Sequence, residues 1–252
     1  MIEFRDVVVA YGNHIVLNRL NFRVGAHEKV AILGGSGRGK TTILRLILGL
    51  VRPDDGKIFI NGQDITALSE LHMRDIRQKF SIVFQEGALF DSLSVKENVA
   101  YCMREYSDLS EEAIESSVRT VLRRMGLEDT IYLMPEELSG GMQRRVAIAR
   151  SLASCTPHIM LYDEPTTGLD PIAADNICNI INELSSGPPS ERPGLIIVTH
   201  RVRDAAIVAE RFIYLTDRVA FDGGIEELKA TEDPELRHFV NEIICTLESH
   251  TS

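Results

Sequence analysis

Paired cysteines are missing: Cys102, Cys155, Cys178 and Cys245 are widely spaced and none falls in a C-x-x-C pair. Neither a disulfide framework nor a zinc site is expected, which fits a reducing compartment, and each thiol reads most simply as a small buried hydrophobe. Long apolar runs are missing too. The strongest, Leu44–Val51, is broken by Arg45 and Gly49 and is far too short to cross a bilayer. The N-terminal Met1-Ile2-Glu3-Phe4-Arg5-Asp6 has no basic segment followed by an apolar one, so no secretory signal is expected. Positive charge is scarce. With 27 Lys and Arg against 37 Asp and Glu, the net charge of −10 argues against broad adhesion to DNA or RNA. Any work at a membrane would need a partner to bring the chain there. What the chain does have is apolar content, 44% of 252 residues, enough for one large domain or a core with a subdomain.

The pattern along the chain is mixed. Ile2 and Phe4 alternate with charged residues, and Leu20, Phe22 and Val24 repeat the alternation, so the first thirty residues read as strands. Pro53-Asp54-Asp55-Gly56 is a turn, Lys57–Ile60 a strand and Asn61-Gly62 another turn. Phe80–Phe84 reads as a buried strand ending at Gln85. From about Glu86 to Ala153 the character is helical. Ser94 with Glu97 forms a capping box, and a second helix runs from Ser110-Glu111-Glu112 to Arg123-Arg124 with Gly126 as its stop. Strand-like runs return at Ile159–Tyr162, Leu195–Val198, Phe212–Leu215 and Val219–Phe221, with a surface loop expected at Ser185–Gly194. No internal repeat is visible. Pro234–Leu247 has Leu236, Phe239, Val240, Ile243 and Ile244 on one helical stripe, which would pack on its own domain or on a partner.

One stretch constrains the chemistry more than any other. Gly34-Gly35-Ser36-Gly37-Arg38-Gly39-Lys40-Thr41 has the G-x-x-x-x-G-K-[ST] spacing of a phosphate-binding loop, with Thr42 next in line. Its flanks agree, an apolar strand-like Lys29–Leu33 before it and helical spacing over Thr41–Leu50 after it. Glycines let backbone N–H groups turn toward phosphate oxygens, Lys40 adds a point charge for the β- and γ-phosphates, and the Thr41 hydroxyl can hold magnesium. The helix aims the positive end of its dipole at the same oxygens. The expected ligand is a nucleoside triphosphate.

Hydrolysis needs more than binding. Ile159-Met160-Leu161-Tyr162-Asp163-Glu164 is an apolar strand ending in two carboxylates. Asp163 would hold magnesium and Glu164 would orient and polarise the attacking water. Upstream, Leu138-Ser139-Gly140-Gly141-Met142-Gln143-Arg144-Arg145 opens a helix (Met142–Ala153) whose first N–H groups make an anion site.

Here the chain resembles the ABC-type ATPases, whose signature is Leu-Ser-Gly-Gly-Gln. The resemblance implies an α/β fold, a P-loop ATPase core with an antiparallel β subdomain and a helical insertion, and ATP with magnesium as cofactors. It also implies that Ser139, Gly140 and Gly141 cap the γ-phosphate held by the P-loop of a second copy, so that catalysis needs a homodimer. Carried over by position, Tyr11 would stack on adenine, though it also reads as a strand-end core aromatic. Gln85 would sense magnesium and water, and Asp170 would close the loop that contacts the other copy; locally it reads as an N-cap before Pro171. His200, after the strand and Thr199, would contact the γ-phosphate. The resemblance spans about residues 1–228: a core at about 1–85 and 157–228, a helical subdomain at about 86–156, and a tail at 229–252. Three positions depart from the family pattern: Met142 replaces the signature glutamine, Arg201 follows His200 where aspartate is common, and Arg38 fills a position usually small and is expected to point outward. None removes a catalytic group.

With one ATPase unit and no long coiled-coil insertion, the chain resembles transporter motors more than translation or chromosome-maintenance members of the family. A groove near the Gln85 loop would receive a short helix from a transmembrane permease. Phe84–Val95, Glu97-Asn98-Val99-Ala100-Tyr101 and the Leu-Ser-Gly-Gly-Met signature resemble the Mla/MCE-type ATPases that energise phospholipid traffic between bacterial membranes. In that reading Ala88-Leu89-Phe90 faces the permease helix or forms ordinary subdomain core. An MCE-domain lipid-binding protein and a small accessory protein at the tail join as partners, at the cytoplasmic face of the inner membrane. The alternatives are the motor of a polar amino acid importer or solvent-resistance system, and a soluble ATPase of iron–sulfur assembly type. A silent nucleotide-binding scaffold is disfavoured by Glu164 and His200.

Overall fold

Period-two alternation splits the residues of single strands between two cores, and that split explains the architecture. The computed structural model describes residues 1–85, 87–153, 158–188, 191–232 and 236–237. Strands β1 (Ile2–Tyr11) and β2 (His14–Val24) form a long antiparallel ribbon. After β3 (Lys29–Leu33) and α1 (Lys40–Ile47), β4 (Asp55–Ile60) returns to pair with β1, and β5 (Gln63–Asp64) finishes a four-stranded antiparallel sheet in the order β2-β1-β4-β5. The second sheet takes β3 together with β6 (Phe80–Val83), β7 (Ile159–Asp163), β8 (Gly194–Thr199), β9 (Arg211–Leu215) and β10 (Val219–Gly224). Its order is β10-β9-β3-β8-β7-β6, parallel from β9 through β6 with β10 antiparallel at one edge.

A parallel sheet must be covered on both faces, which is why its strands read as unbroken apolar runs. Val30 and Ile32, Ile159 and Leu161, and Ile196 and Val198 face the antiparallel sheet and α1. Their neighbours Ala31 and Leu33, Met160 and Tyr162, and Leu195 and Ile197 face the helices on the other side. Those helices are α3 (Val95–Tyr106), α4 (Glu111–Arg124), α5 (Gly140–Ala153), α6 (Pro171–Leu184) and α7 (Val202–Val208), with the short α8 (Ile225–Lys229) after β10. The expected α/β fold, with its antiparallel sheet and helical region, is the one found.

Local signals set the helix ends. At the start of α3, Ser94 Oγ accepts from the Glu97 N–H and the Glu97 carboxylate accepts from the Ser94 N–H, a complete capping box. Ser110 caps α4, and Gly126 follows it with φ 64°. α1 stops at Ile47 rather than running to Leu50, because Gly49 turns left-handed at φ 62°. α5 begins at Gly140, two residues earlier than the apolar spacing indicated, and β6 ends at Val83. Helices α2 (Glu70–Arg77), α7 and α8 were not expected; α2 buries only Met73 and Ile76 and leaves Leu71 exposed.

α5 is fastened to the segment that follows β6. Arg144 Nη1 donates to the Phe84 carbonyl at 3.1 Å, and Arg150 donates to the carbonyls of Gly87 (2.9 Å) and Ala88 (2.8 Å). The buried Asn98 amide donates to the carbonyls of Phe90, Leu93 and Ser94 and accepts from the Phe90 N–H. Leu89 packs into the core while Phe90 lies against Tyr101 with ring centroids 4.8 Å apart. Leu236 of the expected tail stripe is buried; Phe239, Val240, Ile243 and Ile244 lie outside the described residues, as do Glu86, Cys155 and Cys245. Among the described residues no helix is long and apolar enough to cross a membrane.

Candidate active site

Four neighbouring parallel strands deliver the site. In the order β3, β8, β7, β6 they end level with one another: Leu33 pairs with Thr199, Asp163 with Val198, and Val83 with Tyr162. The loops leaving those ends carry Gly34–Thr41, His200, Glu164 and Gln85, and the crevice beyond the carboxyl ends of an open parallel sheet is where such folds bind ligands. A cleft of about 530 Å³ is lined there by Tyr11, Val16, Ser36 to Thr42, Gln85, Glu164, Thr167 and His200.

The P-loop needs its glycines for two separate reasons. At Gly39, with φ 82°, a Cβ would stand 2.6 Å from Leu17 Cδ2 and 2.9 Å from Val16 Cγ1. At Gly34 a Cβ would stand 2.4 Å from the Leu215 carbonyl oxygen. No side chain caps the start of α1 and no acidic residue sits in its first turn, so its positive end faces the cleft bare. Gly34 itself is buried behind the loop, whereas Gly35, Ser36, Gly37 and Arg38 are exposed.

The charged groups satisfy one another. Lys40 Nζ donates to the carbonyls of Gly34 (2.9 Å) and Gly35 (3.0 Å) and lies 3.6 Å from Glu164 Oε1. Thr41 Oγ1 donates to Asp163 Oδ1 at 2.9 Å. Burial pushes the Asp163 carboxyl up, opposed first by that Thr41 bond. Hydroxyl, carboxylate and the nearby Gln85 amide form an all-oxygen donor set that suits magnesium. No group of three or more His, Cys, Asp or Glu among the described residues could hold a metal alone, so phosphate and water would complete the shell, as this ion prefers. Bound there, magnesium would neutralise phosphate charge.

Glu164 sits just past the strand with φ 47°, an uncommon backbone for a non-glycine residue, and is almost fully buried. Its N–H donates to the Val198 carbonyl at 2.9 Å. His200 Nδ1 lies 2.7 Å from Glu164 Oε2, the Thr167 hydroxyl donates to the same oxygen at 3.2 Å, and the His200 N–H reaches it at 3.4 Å. Since a carboxylate only accepts, Nδ1 carries the proton and Nε2 is left to face the cleft. Hydrogen bonds on several sides hold this uncommon backbone and its carboxylate in one position.

Ser139, Gly140, Gly141 and Asp170 are placed elsewhere. They line a second cleft of about 720 Å³ with Gly126, Arg145, Gly168 and Leu169, and no described residue lines both clefts. Ser139 Oγ accepts from the Met142 N–H at 3.3 Å, and Asp170 Oδ1 accepts from the N–H groups of Ile172 (3.1 Å) and Ala173 (3.0 Å).

Sequence reasoning passed over Val16, Thr167 and Arg144. Thr167 lies inside the segment after Glu164 and could have been found there. Arg144 ties the two loops, donating to Phe84 and, at 3.4 Å, to the Thr167 carbonyl, a role that only the folded chain reveals.

A family profile described as "ABC transporter" matches residues 17–167. The chain is 37% identical over 244 residues to the intermembrane phospholipid transport system ATP-binding protein MlaF of Escherichia coli, covering 96% of this chain and 89% of that one. It is 36% identical over 253 residues to the chloroplastic protein trigalactosyldiacylglycerol 3 of Arabidopsis thaliana, covering 95% of this chain and 73% of that one. Among solved structures, the ATP-binding cassette MJ0796, dimeric and bound to ADP and Pi, superimposes with a TM-score of 0.79 at 32% identity, over 89% of this chain and 98% of that one.

Proposed function

We propose, from the premise that this chain belongs to the ABC transporter family and is one of its ATP-hydrolysing subunits, that it drives phospholipid transport between membranes through a separate permease. ATP is its substrate and magnesium the accompanying ion. In this reading residues 1–228 form the ATPase unit, with about 86–156 as a helical subdomain and 229–252 as a tail.

One observation carries the mechanism: the residues expected at a single nucleotide line two clefts with no member in common. A homodimer reconciles them by setting the Ser139–Gly141 helix end of one copy over the P-loop of the other. The glycines of the second cleft support this. Gly140 and Gly141 lack the left-handed φ of Gly39, and a Cβ at either would make only ordinary 3.6 Å contacts, with Leu169 and Ala173. Their own chain does not need them to be glycine; a ligand reaching the helix end from outside does.

Tyr11 stacks on the base, the P-loop N–H groups, Lys40 and α1 hold the phosphates, and Thr41, Asp163 and Gln85 hold magnesium. Glu164 polarises the attacking water while the Nδ1–H of His200 holds its carboxylate in place and Nε2 faces the γ-phosphate. Asp170 meets the opposing copy.

The groove bounded by Glu70, Leu71, Arg74, Arg77, Phe80 and Tyr106 is where the permease helix docks. Leu71 is 74% exposed there, and Phe80 opens the strand that leads to Gln85. The phospholipid cargo rests on the likeness to the MlaF protein; an MCE-domain lipid-binding partner, a small accessory protein at the tail and a place on the cytoplasmic face of the inner membrane rest on the resemblance carried by Phe84–Val95, Glu97–Tyr101 and the Leu-Ser-Gly-Gly-Met signature. Purification of the tagged protein from its native membranes in mild detergent, with mass spectrometry of subunits and lipids, tests this. A permease, an MCE-domain protein and phospholipid are expected; a different permease without lipid sinks the cargo, and soluble partners alone sink the transporter reading.

A further inference from the structure

Arg201 follows His200 directly, yet it lines neither cleft. Its Nε lies 3.7 Å from Asp204 Oδ1, and its Nη1 donates to the Thr166 carbonyl at 3.4 Å. Asp204, on α7, is 1% exposed. Its Oδ2 accepts from the hydroxyl of the fully buried Thr166. Its Oδ1 is, among the described residues, the one buried side-chain polar atom without a hydrogen-bond partner. On the remaining side lies Cys178 of α6, whose thiol is pushed up by burial and then by the charge of Asp204. Burial also pushes the Asp204 carboxyl up, against the Thr166 bond and the Arg201 charge. Nearby, Arg203 grips Asp175 through two bonds of 2.8 and 2.7 Å and fixes α7 on α6.

Burying a carboxylate with one oxygen that has an arginine at 3.7 Å but no hydrogen bond is costly, and a buried ion pair is poor evidence for stability. The location supplies a different reason. Thr166 is two residues beyond Glu164, Arg201 is one beyond His200, and Cys178 belongs to the helix that Asp170 caps. Two loops of the site and the helix α6 therefore converge on one carboxylate that faces no ligand.

We propose that Asp204 is a positioning residue: by holding Thr166 and Arg201 together it fixes the Glu164 loop against the His200 loop and sets the Glu164–His200 hydrogen bond. The proposal rests on Glu164 as the catalytic carboxylate. A shift of about 1 Å in such a pair is enough to cost roughly a hundredfold in rate.

The test is steady-state ATP hydrolysis by the full chain, with kcat and KM for ATP and a melting curve, for Thr166→Ser, Thr166→Val, Asp204→Asn and Glu164→Gln. Thr166→Ser keeps the donor and is expected to hold kcat within about twofold, while Thr166→Val and Asp204→Asn lower kcat by roughly tenfold or more at unchanged KM. If Asp204→Asn does not fold, the serine and valine pair decides alone. A Thr166→Val protein with the kcat of Thr166→Ser overturns the proposal. So does one whose melting temperature and KM move while kcat holds, the mark of a purely structural hydroxyl. Normal turnover by Glu164→Gln overturns the catalytic assignment instead, a distinguishable failure.

Discussion

The two clefts differ in how far each chain satisfies itself. In the P-loop cleft the buried charged groups already have partners: Lys40 on two carbonyls and near Glu164, Asp163 on Thr41, Glu164 on His200. In the signature cleft Ser139 and Asp170 bond only to the backbone of the helices they cap, and Gly140 lies exposed. The first cleft is a preset machine that exchanges internal bonds for bonds to a nucleotide. The second is a bare helix end with nothing of its own chain to bind. On the proposed dimer the difference has a simple meaning: the second cleft of one copy completes the first cleft of the other.

The largest effects belong to the preset cleft. Glu164→Gln keeps the size and the P-loop but removes the base, so turnover falls by about a thousandfold while ATP still binds. Phosphate release and equilibrium nucleotide binding measure the two separately, and wild-type turnover would sink the assignment. Lys40→Ala strikes binding itself. Losing charge-assisted bonds to phosphate weakens ATP affinity by roughly 10- to 100-fold, since such bonds contribute about 1.5–3 kcal/mol each.

Next comes the cleft that needs a partner. Ser139→Arg places bulk and charge in the anion site without touching the P-loop of the same chain. Each variant chain should bind ATP normally yet hydrolyse it poorly. Mixing it with Lys40→Ala chains yields hybrids holding one unaltered composite site, in which a P-loop and a signature are both wild type. Partial recovery of ATPase activity in the mixture is expected; none at any ratio would contradict completion in trans.

The two regions were also unequally legible. Gly34–Thr41 and Ile159–Glu164 are local spacings, because a strand, a turn and a helix start are set by adjacent residues. They could be read without the fold, and so could the caps at Ser94, Ser110 and Asp170. α2 could not, since an eight-residue helix with only Met73 and Ile76 inward has too little periodicity to register. Nor could Arg144 or Asp204 be assigned. Their roles arise from loops far apart in sequence that the parallel strands bring level, as when Arg144 bonds Phe84 and Thr167 at once. The separation of the clefts was implied only by family resemblance; the side chains lining each give it a physical basis.

The smallest expected effect separates the clefts most cleanly, and it concerns glycine. Gly39→Ala forces a Cβ to within 2.6 Å of Leu17 Cδ2 at φ 82°, in a loop wedged against the β1–β2 ribbon. Left-handed backbone and overlap together should cost about 2 kcal/mol or more of folding stability, so loss of ATP binding and a lower melting point arrive together. Gly141→Ala meets only Ala173 Cβ at 3.6 Å, inside a helix where alanine is the better residue. Stability should stay within about 0.5 kcal/mol of wild type or rise. Yet the methyl group narrows the approach to the helix N-terminus, and ATPase activity should fall several-fold with nucleotide binding by the single chain intact. Calorimetry beside a turnover assay reads both quantities on the same samples. If Gly141→Ala melts early, the glycine serves its own chain, and the argument that it is kept open for a second copy fails. If it melts normally and hydrolyses normally, the helix end is not an anion site at all. Only a stable protein with impaired turnover keeps the two clefts as halves of one site.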